Sequence, residues 1–170
     1  MNWFKFSKND KIINKIKEIL KKHPFTKTLC DYYKIPISEI DNNMDVEIAE
    51  LGGPFAEGNG KRIRIDPKIM KKDFFEKNFH FIIHEFFHWI KRRSEDDFYL
   101  NDPEEVQSFV LQIVWKMING DSEQDIKDNI FPIIQTHYKK NNKKAIEVFS
   151  KMLEQSKTIY RYYVEKNNIK

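Results

Sequence analysis

The stretch FHFIIHEFFHWIKRR, residues 79–93, sets a glutamate between two histidines inside an otherwise apolar run. From Lys72 onward, Phe75, Phe79, Ile82, Ile83, Phe86 and Ile90 recur at three- and four-residue spacing, which predicts a helix with one broad apolar side. Within that apolar setting stand His84, Glu85 and His88. Burying an imidazole or a carboxylate without a partner costs several kcal/mol. A metal site relieves that problem, whereas a plain core helix does not.

The rest of the chain sorts around this helix by period. Ile12, Ile13, Ile16, Ile19 and Leu20 predict an amphipathic helix from Asn9 to about Lys22, and a shorter one is expected from Thr26 to about Tyr33, ending before Pro36. The segments MDVEIAEL and GKRIRIDP alternate apolar and polar residues, as half-buried strands do. Between them GGPFAEGNG holds four of the five glycines, so a turn and an irregular edge are expected there. Beyond the polar loop RRSEDDFYLND, a helix should begin at Asp102-Pro103 and stop near Gly120, followed by helices over about 122–138 and 142–165. Helices, a small sheet, then helices again predict a single α+β domain spanning residues 1–170.

Composition removes several classes of function. Thirty basic residues against 26 acidic ones leave a formal charge of +4, a densely charged but nearly balanced surface that is no nucleic-acid signature. The lysines of KIKEILKKH and HYKKNNKKAIEVFSKM alternate with apolar residues at helical spacing, as on a solvated helix face. No run approaches the roughly 18–20 uncharged residues of a spanning helix, so no membrane partner is expected. The first twenty residues lack both a continuous apolar stretch and a small-residue cleavage site, which places the expected location in the cytoplasm. Cys30 is the only cysteine, so any metal must rest on His, Asp and Glu.

On a helix, residues four apart lie about 40° apart around the axis, so His84 and His88 can hold one ion. Zinc suits the pair because it accepts imidazole nitrogen and, in catalytic sites, keeps a position open for water. Glu85, about 60° around from His88, is placed to take a proton from that water. His80 shares a face with His84 but lies two turns, about 12 Å, from His88, too far for both to join one ion. It is expected as a supporting or surface histidine.

The pattern H-E-x-x-H on a helix is the signature of zinc metalloproteases, and IIHEFFHWI is similar to the extended signature of the zincin metallopeptidases. Lys91 and Ser94 stand where the metzincin branch has a glycine and a third histidine, so the resemblance is to the glutamate-liganded gluzincins. It covers about residues 45–118 and looks most like the small intracellular ImmA/IrrE-type and phage-borne peptidases, although HEFFH replaces HELGH and the second motif of those proteins is not preserved. What the resemblance implies is a zincin-like fold, a bound zinc ion, a protein or peptide substrate, Glu85 as general base, and a third ligand from the next helix. Glu104 and Glu105 are the candidates there. Apolar residues at +2, +5, +6, +9, +10 and +13 from Glu104 are similar to the ligand helix of thermolysin, while Glu105 has the small Ser108 at +3 but can instead close a capping box with Asp102. The spacing favours Glu104 narrowly and keeps Glu105 beside it. Tyr99, His137 and Tyr138 are candidate oxyanion donors that spacing does not rank. Two other readings compete: a zincin-like binding or regulatory module of a mobile element without hydrolytic activity, and a basic helical protein that binds nucleic acid.

Overall fold

The alternation in DVEI and RIRI becomes a sheet whose two faces differ. In the computed structural model, which describes residues 8–58, 60–71, 74–91, 103–139 and 141–169, β1 (Asp45–Ile48) and β3 (Arg62–Ile65) pair in parallel, and β2 (Ala56–Gly58) joins the other side of β3 antiparallel. The order β1-β3-β2 makes β2 an edge strand. On one face Val46, Ile63, Ile65 and Ala56 are buried. On the other the register sets Asp45 opposite Arg62 and Glu47 opposite Arg64. Arg62 reaches Asp45 at 2.6 Å and Glu47 at 3.2 Å, and Arg64 pairs with Glu57 of β2. A one-residue slip would bury these charges, so alternation and register enforce each other.

The chain separates into two compact units, residues 1–95 and 96–170. In the first, α1 (Lys8–Lys22) packs against α2 (Pro24–Tyr32), the short α3 (Glu39–Asn42) and β1. A 3-10 turn, Pro67–Met70, leads from β3 toward α4 (Phe74–Lys91), which lies against β2, β3 and that turn. Its apolar side is complete: Ile82, Ile83, Phe86, Phe87, Trp89 and Ile90 are all buried. In the second unit, α5 (Pro103–Ile118), α6 (Glu123–His137) and α7 (Asn142–Lys166) pack together around Val110, Ile113, Ile126, Ile130, Ile134 and Met152. Ser156 donates to Val110 O at 3.0 Å, fastening α7 to α5.

Seven α-helices and three strands among the described residues make an α-rich α+β architecture, the class expected from the periods. Three details differ from expectation. The glycine-rich segment contains β2, α2 opens at Pro24 because His23 caps it, and α3 and the 3-10 turn are additional. Among the described residues no helix is long and apolar enough to cross a membrane.

Candidate functional site

Four residues of helical advance put the His84 and His88 rings on one side of α4, with centroids 5.0 Å apart and planes inclined at 61°. Their Nε2 atoms stand 3.2 Å from each other, and the residues are only 7 % and 6 % exposed. That distance allows one ring to donate to the other, the tautomers deciding which. It is also a separation that a shared ion would allow. Zinc holds imidazole nitrogen at about 2.0–2.1 Å, so one ion touching nitrogens 3.2 Å apart would subtend about 100° between them, close to a tetrahedral angle. The separation of the two nitrogens is therefore compatible with one zinc ion.

Glu85 is half-buried and sits beside the pair, on the side of α4 that faces the sheet edge. A Cβ built on Gly58 of β2 would come within 2.8 Å of Glu85 Oε2. The carboxylate thus rests against the backbone of the edge strand. Rigidity around it comes from packing: Phe86 stacks on Trp89 with centroids 5.5 Å apart, and Phe87 meets Tyr33 edge-on at 5.9 Å. The strand itself is tied down by Asp66, which is 1 % exposed. Asp66 Oδ1 accepts the Lys68 N–H at 2.8 Å and Oδ2 accepts that of Leu51 at 3.1 Å, while the Asp66 N–H donates to Phe55 O. These hydrogen bonds from Lys68 and then Leu51 hold its carboxyl below the usual aspartate range. Together they fix the loop that delivers the chain into β2.

His80, one turn before His84, is 1 % exposed with its ring 4.2 Å from that of Phe81, so the surface placement allowed for it does not hold. Glu104 and Glu105 both lie in the first turn of α5, and both are half-buried. Oε2 of Glu105 is shielded from solvent. Ser108 is fully buried and returns its hydroxyl to Glu104 O at 2.9 Å. Pro103 is the first residue of α5, as expected, while Asp102 and Tyr99 lie outside the described residues. His137 ends α6, exposed, with Tyr138 edge-on to it at 4.8 Å.

Gly58 and Asp66 are the supporting residues that sequence reasoning missed. Asp66 carried a readable signal, since Asp-Pro at a helix start is the same pair that marked Asp102-Pro103. Gly58 carried none that separates it from the glycines around it. No protein-family model, curated protein or solved structure matches the chain.

Proposed function

We propose that the chain is a zinc-dependent peptidase of zincin type, acting on a protein or peptide substrate. The observation that carries this reading is the buried His84–His88 pair, its Nε2 atoms 3.2 Å apart, with Glu85 between the two in sequence and beside them on the helix. A hydrogen-bonded histidine pair alone would explain the distance but gives no reason for a carboxylate next to it. His84 and His88 supply two ligands, and a carboxylate from the first turn of α5, Glu104 or Glu105, is the third that the zincin resemblance implies. Two nitrogens and one carboxylate oxygen are the donor types of catalytic zinc sites, which leave one position open.

Zinc bound there supplies Lewis acidity, polarising the scissile carbonyl and making water nucleophilic near neutral pH. Glu85 accepts a proton from the attacking water as its oxygen bonds to the carbonyl carbon. The same carboxyl then delivers a proton to the amide nitrogen as the carbon–nitrogen bond breaks, so that water is divided between a new carboxylate and a new amine. Burial of both histidines limits the metal's exposure to bulk water, and the Gly58 backbone limits where the Glu85 carboxylate can swing.

The reading is tested by the metal dependence of cleavage. Zinc-loaded protein, incubated with a diverse peptide library and read by mass spectrometry, should generate new termini. Stripping the metal with a chelator should stop this, and restoring zinc should restart it. Cleavage that persists in verified metal-free protein, or a library left intact by the zinc-loaded form, would overturn the assignment.

A further inference from the structure

Gly58 is an unusual residue for its position. It is buried in β2, paired with Ile63 of β3, and its φ lies outside the left-handed region, so its backbone conformation makes no demand for glycine. Glycine inside a strand weakens it and marks a close approach by something else. Here that something is a single atom. An added Cβ would lie 2.8 Å from Glu85 Oε2, whereas its next neighbours, Arg62 O at 3.4 Å and Glu85 Cβ at 3.5 Å, are at tolerable distances. The missing methyl group is therefore the space that the Glu85 carboxylate occupies.

Resting on the peptidase reading above, we propose that Gly58 is a positioning residue for Glu85, its bare Cα forming the seat that holds the carboxylate beside the histidine pair. Oε2 is the end of a flexible side chain, so a methyl at residue 58 would be accommodated by rotation of Glu85 and not by a shift of the strand. The two histidines lie elsewhere on α4 and would keep their places. The cost of Gly58→Ala should accordingly appear in turnover far more than in folding or in zinc content.

The test is a double-mutant cycle on the full-length, zinc-loaded chain, combining Gly58→Ala with Glu85→Ala and reading both melting and peptide hydrolysis. Replacing glycine by alanine at a compatible position reduces the freedom of the unfolded chain. With Glu85 truncated, Gly58→Ala should therefore raise Tm by about 1–4 °C, and with Glu85 present that gain should shrink or reverse. Zinc should remain at one per chain in all variants. Gly58→Ala alone should lower kcat at least about 10-fold with little change in KM, as expected when a general base is displaced. Equal Tm shifts in the two backgrounds would show that residue 58 does not sense Glu85 and would overturn the proposal, whatever the activity. Coupled melting with wild-type kcat in Gly58→Ala would overturn it as well, because the contact would exist without a catalytic consequence. Coupled melting in a protein whose wild type cleaves nothing would sink the peptidase reading and the catalytic meaning of the seat together, an outcome distinct from either of the others.

Discussion

His23 makes the structural account testable by pH. Its Nδ1 accepts the Phe25 N–H at 3.2 Å, capping α2 just ahead of Pro24. A protonated ring has no lone pair at Nδ1 to offer, and its positive charge would face the positive end of the helix dipole. Burial pushes the imidazole down from 6.5 to about 4. The folded state therefore takes up its proton later than the unfolded state as pH falls. Stability from this residue is complete above pH 6.5, is lost progressively between 6.5 and about 4, and is gone below that. A shift from 6.5 to about 4 corresponds to at most about 3.4 kcal/mol. The ring is partly exposed, so solvent screening brings the expected loss to about 1–2 kcal/mol. Asparagine is a strong N-cap that does not titrate in this range. Urea unfolding of wild type and His23→Asn, followed by circular dichroism from pH 7.5 to 4 at fixed zinc, should give curves that diverge by about 1–2 kcal/mol toward acid, the wild type falling faster. Curves that stay parallel over the whole range would refute the buried-cap argument, since every other group is common to both proteins.

Further predictions concern the ligands. His84→Ala and His88→Ala should each lose bound zinc, measured by elemental analysis after gel filtration, because either change leaves a single imidazole of the 84/88 pair. Of Glu104→Ala and Glu105→Ala, the one that removes the third ligand should weaken zinc binding at least about 10-fold in competition with a chelator, and the other should change it by less than about 3-fold. Tight zinc in both variants would take the third ligand out of this pair.

Most of the secondary structure was legible because period survives wherever an element is long enough to repeat. The six longer helices and the strands β1 and β3 span several apolar positions each, and their faces can be read from spacing. β2 has only Ala56, Glu57 and Gly58, too few to show alternation, and it is recognised only through its pairing with β3. α3 is a single turn and fails for the same reason. The start of α2 was misplaced because histidine is not among the usual capping residues, and its role at position 23 depends on burial that no local pattern encodes. At the site, the shared face of His84 and His88 was legible from helical spacing, while the roles proposed for them and for Glu85 come from the H-E-x-x-H pattern. Glu104 is favoured over Glu105 only narrowly, since neighbours on a helix differ by about 100° in direction and the sequence does not say which direction matters. Gly58 was invisible because the atom that excludes its methyl group belongs to residue 85, across a contact the sequence does not specify.

The central claim is that Glu85 works on water at a metal held by the histidines beside it, and Glu85→Gln isolates it. The amide keeps the size of the side chain and its seat against Gly58 while losing the basicity. Turnover of a cleaved peptide should fall at least about 100-fold with zinc still at one per chain, the range expected for removing a general base. Turnover at the wild-type rate by zinc-loaded Glu85→Gln would contradict the account.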